Sequence, residues 1–202
     1  MVIPVEMPGE RDKHAWRIEL LARRAVMSAT EREKEAFALA TAMDTLEAKG
    51  WVCAYVPVAG EPGSTAMLDA LLAGGARILL PVTGPPGPLS WAEYTGADAL
   101  RRARYSLLEP TGATLPPDAV TRAGLILVPA LAVDSRGVRL GRGAGYYDRT
   151  LPAARPDARL VAVVRDDELV DRLPEEPHDR RMGWALTPRG GLRRLGDHYA
   201  GE

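Results

Sequence analysis

A single cysteine, Cys53, has no partner for an internal disulfide, which excludes the disulfide-stapled scaffolds of small secreted domains. Its setting, WVCAYVPV, is apolar and suits a packed core thiol better than an activated nucleophile. No stretch approaches the roughly 18 apolar residues of a membrane-spanning helix. The N-terminal MVIPVEMPGERDKH has no basic flank leading into an apolar stretch and a small-residue cleavage site, so it does not read as a secretory signal. Cytoplasm is the expected address. An excess of charge is missing too: 26 basic residues against 27 acidic ones give a net charge of −1, and no bulk attraction to nucleic acid or to an anionic membrane follows. The RRAR run at 101–104 lacks interleaved aromatics for base stacking and is expected to be a solvated turn. Neither internal repeats nor low-complexity segments occur. The expected partner is a small-molecule substrate, with no nucleic acid and no membrane, on a monomer or small homo-oligomer.

Enough apolar sequence is present to fold. Hydrophobic residues make up 46% and charged residues 26% of the 202, and a chain of this length buries roughly 70% of its unfolded surface. Two helices are expected between Glu10 and Lys49, joined near Ser28 to Thr30, with Trp16, Leu20 and Leu21 at helical spacing and Gly50 as the stop. Four apolar runs have the length of buried strands: WVCAYVPV (51–58), ARILLPV (76–82), GLILVPALAV (124–133) and RLVAVV (159–164). A helix, TAMLDALLAGG, lies between the first two. This alternation predicts an α/β fold, a single layered domain over 1–202 with a mostly parallel central sheet flanked by helices. Pro- and Gly-rich TGPPGPLS (83–90) and EPTGATLPPD (109–118) read as loops within it.

The chemistry concentrates in RLGRGAGYYDR, residues 139–149, which follows the third apolar run and a turn at Asp134 to Gly137. Ligands of open α/β sheets sit outside the carboxyl ends of strands. Gly141, Gly143 and Gly145 remove three Cβ atoms, letting backbone amides approach an anion and adopt positive φ. Arg139 and Arg142 add forked positive charge, residues 145–151 read as a short helix, and Asp148 could hold the Mg²⁺ that accompanies a nucleoside triphosphate. The stretch lacks the G-x-x-x-x-G-K-[S/T] of a Walker loop, and G-x-G-x-G is not the dinucleotide fingerprint. A tight glycine turn with solvated arginines is an equally simple reading of the composition alone.

The run LILVPALAVDSRGVRLGRGAGYYDR (125–149) strongly resembles the signature of the 5-formyltetrahydrofolate cyclo-ligase (methenyltetrahydrofolate synthetase) family. Three further landmarks stand in family order, Lys13-x-x-x-Arg17 near the start, Glu109-Pro110 ahead of the signature and LVDRLPEEPHD (169–179) after it, so the resemblance covers nearly the whole chain. It implies ATP-dependent closure of 5-formyltetrahydrofolate to 5,10-methenyltetrahydrofolate, with ATP as co-substrate and Mg²⁺ as cofactor. ATP phosphorylates the formyl oxygen, N10 attacks the activated carbon and phosphate leaves. The implied ATP ligands are Lys13, Arg17, Arg139, Leu140, Gly141, Arg142, Gly143, Ala144, Gly145, Tyr146 and Tyr147. The implied folate contacts are Arg17, Val56, Glu61, Tyr105, Arg142, Gly143, Gly145 and Tyr146, with Arg142 and Tyr146 as catalytic residues. Asp148 and Asp179 are the implied metal ligands.

Several of these residues have plainer readings. Lys13 and Arg17, four apart, also suit a solvated helix face. Asp179 also suits a surface carboxylate, and Tyr105 a core aromatic. His178 has no role in this reaction and is set aside as an exposed histidine. Glu61 is followed by Pro62, Gly63 and Ser64 where the family has a hydrophobic residue, an acidic or amide residue and Thr. That departure is the one support for an alternative, a relative that binds nucleotide or folate as a regulatory module without turnover. A third reading keeps the 139–148 unit for ATP and changes the small molecule.

Overall fold

The computed structural model describes residues 11–58, 60–82, 84–102 and 108–196. The chain opens with α1 (Lys13–Ala25) and α2 (Ala29–Ala42). Each begins on a side-chain cap that satisfies helix-terminal amides. The Asp12 carboxylate accepts from the Ala15 amide at 2.7 Å, while Ser28 and Glu31 cap each other's backbone reciprocally. The Ser28 hydrogen bonds hold the Glu31 carboxyl below its ordinary pKa.

A seven-stranded sheet forms the centre. Its strands are β1 (Gly50–Cys53), β2 (Ala76–Val82), β3 (Ser90–Tyr94), β6 (Leu125–Pro129), β9 (Arg159–Val163), β11 (Trp184–Thr187) and β12 (Gly191–Arg194), in the order β12-β11-β9-β6-β1-β2-β3. The five inner strands run parallel, and β3 and β12 close the two edges antiparallel. α3 (Ala66–Ala73) crosses from β1 to β2 and ends at Gly74. A two-stranded ribbon pairs β4 (Leu100–Arg102) with β5 (Leu108–Pro110). A three-stranded sheet sets β10 (Leu169–Val170), β7 (Ala132–Asp134) and β8 (Arg139–Leu140) side by side. The last helix, α4 (Tyr146–Thr150), follows β8.

Side chains alternate between the two faces of the parallel strands. Val52, Ile78, Leu125, Leu127, Val161 and Val163 face α2 and α3 through Leu39, Met67 and Leu71. Cys53, Leu79, Ile126, Val128 and Ala162 face the opposite way, toward Trp91, Val120 and Leu151. No helix among the described residues is long and apolar enough to cross a membrane.

The α/β architecture and its mostly parallel sheet match the expectation, with three local corrections. The run 51–58 supplies a strand only to Cys53; Ala54 still donates to the Leu79 carbonyl at 2.9 Å, and residues beyond it leave the ladder. The run 124–133 is two strands in different sheets, broken at Ala130 and Leu131. β3, β4, β5, β8, β10, β11 and β12 had no apolar run long enough to announce them, and Arg101 and Arg102 of the expected turn lie on β4 with exposed side chains.

Burial pushes the Cys53 thiol up to about 12, so thiolate is scarce at neutral pH. In the native protein at pH 8 a thiol-specific chromogenic disulfide will release no chromophore over minutes, whereas guanidinium-unfolded protein will release one equivalent. Rapid native labelling would contradict the packed position.

Candidate active site

The parallel strands β1 and β6 end on one rim of the sheet, and there the chain turns from the large sheet into the small one. Arg24 and the apolar Leu20 lie on one side of α1, where Leu20 packs with Leu131, Val138, Leu140 and Leu173. This seats α1 on the three-stranded sheet and brings Lys13 and Arg17 beside the glycine-rich loop. The loop itself is aimed by the turn before it. Asp134, fully buried, accepts from the amides of Arg136 and Val138, both at 2.9 Å, and of Leu173 at 3.0 Å. The turn closes at Gly137, where φ is +92° and a Cβ would stand 2.2 Å from the Met182 carbonyl oxygen.

Beyond β8 the loop is held from both sides. Arg17 Nε donates to the Gly141 carbonyl at 3.0 Å, and Arg149 Nη2 to the Ala144 carbonyl at 2.8 Å. Gly143 (φ +99°) and Gly145 (φ +70°) occupy the left-handed region, as expected of bare backbone. Gly141 does not; a Cβ there would lie 2.8 Å from Arg139 Nη1, so its smallness serves a close approach rather than a backbone conformation. Tyr146 donates its hydroxyl to the Gly84 carbonyl at 3.1 Å, tying the loop to the Pro/Gly segment. Tyr147 turns inward: its hydroxyl is buried, without a hydrogen-bond partner among the described residues, and burial pushes its pKa well above the ordinary range.

Two adjoining cavities result. The first, about 210 Å³, is bounded by Lys13, Arg17, Asp179 and residues 139–148. The second, about 260 Å³, lies behind it and is bounded by Tyr55, Val56, Val58, Leu108 and Glu109. Glu61, Leu89, Pro129, Tyr146 and Tyr147 form the wall that both share. The structure therefore gathers Lys13, Arg17, Arg139 to Asp148 and Asp179 around one space, with Val56 on the other and Glu61 between. Tyr105 lies outside the described residues. His178 is two-thirds exposed, with Nε2 3.5 Å from Glu176 and 4.0 Å from Asp179.

Each carboxylate of the first cavity is matched to a cation. Arg139 Nη2 donates to Asp148 at 2.7 Å and Arg142 Nε to Glu61 at 3.2 Å. Lys13 Nζ donates to Asp179 at 2.8 Å and to Glu176 at 2.7 Å. Burial of the Lys13 ammonium works against its charge, yet the hydrogen bonds from it to Asp179 and Glu176 prevail and its pKa is raised. Glu61 is fixed further by the Val58 amide, which donates to Oε2 at 3.1 Å, while the Glu61 amide returns to the Val58 carbonyl at 2.9 Å. The turn that departs from the family pattern packs Gly63 (φ +97°) against Met67 and Pro57. It presents Glu61 rather than hiding it.

Sequence reasoning missed Tyr55, Leu89, Pro129 and Ala130. These are apolar or weakly polar wall residues whose types carry no chemistry, so only their position at strand ends could have drawn attention to them.

The chain is thus a layered α/β protein with a glycine- and arginine-lined cleft at the carboxyl rim of its parallel sheet, adjoined by a second, largely apolar cavity. This chain belongs to the 5-formyltetrahydrofolate cyclo-ligase family, whose model matches residues 9–188. It is 50% identical over 188 residues to the 5-formyltetrahydrofolate cyclo-ligase of Mycolicibacterium smegmatis, covering 90% of this chain and 96% of that one. The Escherichia coli K12 5-formyltetrahydrofolate cyclo-ligase is 30% identical over 140 residues, 68% of this chain and 77% of that one. Among solved structures, the Aquifex aeolicus 5,10-methenyltetrahydrofolate synthetase superposes with a TM-score of 0.75 at 27% identity, covering 94% of this chain and 96% of that one.

Gly137→Ala combines a left-handed backbone cost with a collision against main chain, and is expected to lower unfolding free energy by about 2–4 kcal/mol. Urea titration followed by far-ultraviolet circular dichroism will measure it. A change within experimental error would mean that the turn relaxes and does not aim the loop.

Proposed function

We propose that this chain converts 5-formyltetrahydrofolate to 5,10-methenyltetrahydrofolate, consuming ATP and releasing ADP and phosphate. The observation that carries the reading is the pair of joined cavities, one lined by amides and cations and one largely apolar, on a chain of this family. In the reaction the formyl oxygen takes the terminal phosphoryl group, N10 attacks the carbon as it loses its proton, and the original formyl oxygen departs with phosphate. What this asks of a protein is positioning and charge neutralisation rather than a covalent intermediate.

Lys13, Arg17 and residues 139–147 would take the triphosphate in the first cavity. Val56, Glu61 and the Tyr146 face would take the folate, with Gly143 and Gly145 leaving room for it. A carboxylate held as Glu61 is can accept paired hydrogen bonds from a pterin amino group and ring N–H. Arg142 of the first cavity pairs with Glu61 on that shared wall, which supports a role in which its guanidinium would neutralise charge on a phosphoryl group passing between substrates. The three cation–carboxylate pairs support a site that exchanges partners: the cations turn to phosphate, and the carboxylates are released to folate and metal.

A divalent ion suits the hard carboxylate oxygens here. Among the described residues Asp148 is bonded by Arg139 alone, leaving a lone-pair side open, whereas both Asp179 oxygens accept from Lys13. Asp148 would therefore hold Mg²⁺ directly, with Asp179 joining once Lys13 turns to phosphate. When bound, Mg²⁺ would supply bridging and neutralisation of phosphate oxygens. The regulatory-module reading rested on the 62–64 departure; a Glu61 that remains at the cavity wall removes that support.

Purified protein mixed with 5-formyltetrahydrofolate, ATP and Mg²⁺ is expected to develop the long-wavelength ultraviolet absorbance of the methenyl product and to release ADP. ATP binding without product would overturn the assignment. Arg142→Ala and Asp148→Ala should each lower turnover by at least about a hundredfold, the scale of losing a charge contact to the transition state; near-normal rates in both would remove them from the site.

A further inference from the structure

A cluster of buried charge lies behind the cavities and touches neither. Arg24, on the last turn of α1, is 3% exposed, Glu168 is 2% exposed and Arg165, just after β9, is 4% exposed. The Glu168 carboxylate accepts from Arg24 Nε at 2.6 Å and Nη2 at 2.7 Å, and from the Arg165 amide at 2.8 Å. Arg165 Nη1 stands 3.5 Å from the same carboxylate, and its Nε donates to Glu35 of α2 at 2.8 Å.

The arginines do not stop at these pairs. Arg165 Nη1 donates to the Gly60 carbonyl at 3.0 Å, and Arg24 Nη2 donates to the Ala130 carbonyl at 2.7 Å. Gly60 immediately precedes Glu61, whose carboxylate stands on the wall between the cavities. Ala130 lines the first cavity, at the break where the chain leaves β6. Two main-chain oxygens, one beside Glu61 and one on the wall of the first cavity, are thus held by arginines that share one carboxylate. Burying three charges is a poor route to stability, since well-packed apolar residues do as well or better. What a buried arginine provides and an aliphatic residue does not is a directional bond to a specified carbonyl.

We propose that Arg165, oriented by Glu168 and Glu35, is a positioning residue for the folate side of the site: its bond to Gly60 fixes the turn that presents Glu61. Arg24, oriented by the same carboxylate, does the corresponding work at Ala130. The assignment of Glu61 to folate rests on the proposed function; the mechanical link from Arg165 to the 58–61 turn does not. An Arg165 variant therefore loosens that turn and weakens folate binding, and leaves ATP binding in the first cavity nearly intact.

The test uses the full-length chain and two variants. Arg165→Met removes the side-chain bonds to Glu35 and the Gly60 carbonyl together with the longer contact to Glu168. Arg165→Lys keeps a cation beside Glu168 yet cannot span Glu35 and the Gly60 carbonyl at once, so it survives as a folded protein if the first variant does not. Amide exchange read by mass spectrometry should show faster exchange in peptides containing Val58 and Glu61, with helix α3 and strand β9 unchanged. In steady-state assays the KM for 5-formyltetrahydrofolate should rise roughly tenfold while the KM for ATP moves less than about twofold. Unaltered exchange at 58–61 in the folded variant overturns the proposal, as does an equal change in both KM values. Inactive wild-type protein would sink the functional assignment instead, and the exchange comparison would still decide the link.

Discussion

The buried carboxylate of Asp134 is the constraint on which the site depends. It stands where the chain has just left the large sheet, and it takes hydrogen bonds from three main-chain amides and from the Arg136 guanidinium at 2.7 Å. An ionised group out of water persists only if its lone pairs are occupied, and here the donors come from two separate segments. One is the 134–138 turn, which sets the direction of β8 and hence of the glycine loop. The other is Leu173, which begins the segment leading to Asp179. A single acceptor thereby fixes the glycine loop and the Asp179 carboxylate across the cavity relative to each other. Without it, each orphaned amide costs about 1–3 kcal/mol.

Within the cleft itself the charges are close to balance. Lys13, Arg139 and Arg142 face Asp179, Asp148 and Glu61 pair by pair. This differs from a bare cationic pocket, which would attract any polyanion and repel its own folded form. Prepaired side chains are already oriented, so under the proposed function a triphosphate would replace one anionic partner by another and little side-chain freedom would have to be lost at that moment. The carboxylates displaced in that exchange are the groups that a metal ion and a pterin edge would engage.

How much of this was legible in the sequence follows from what each residue needs. Gly143 and Gly145 announced themselves because only glycine adopts positive φ at low cost, and Lys13 and Arg17 fell on one helix because Asp12 caps it. The parallel strands β2 and β9 were readable as apolar runs since both their faces are buried. The edge strands β3 and β12 were not: Ser90 and Glu93 interrupt the apolar residues of β3, and β12 has Leu192 alone among glycine and arginines. The division of 124–133 between two sheets was also invisible: the run is apolar throughout, and the break at Ala130 is imposed by where Arg24 and the small sheet hold it. Sequence named the charged and glycine residues that line the first cavity by their chemistry. It could not name Tyr55, Leu89 or the Arg24, Arg165 and Glu168 cluster, whose roles come from contacts more than a hundred positions apart in several cases.

That last group bears on why such a site is built on a rim rather than on loops alone. The loops at 58–64 and 139–145 contain Gly and Pro and have few apolar anchors of their own, so their shape must be imposed from outside. Helix α1 and the turn after β9 impose it through guanidinium groups directed at single carbonyl oxygens. Apolar packing could hold these elements together, but it is non-directional, whereas a guanidinium between carboxylate and carbonyl specifies which oxygen it meets and from where. Phosphoryl transfer gains its rate from alignment of donor and acceptor oxygens. The fold therefore spends burial of charge, which adds little to stability, at the two places where main chain must be held still.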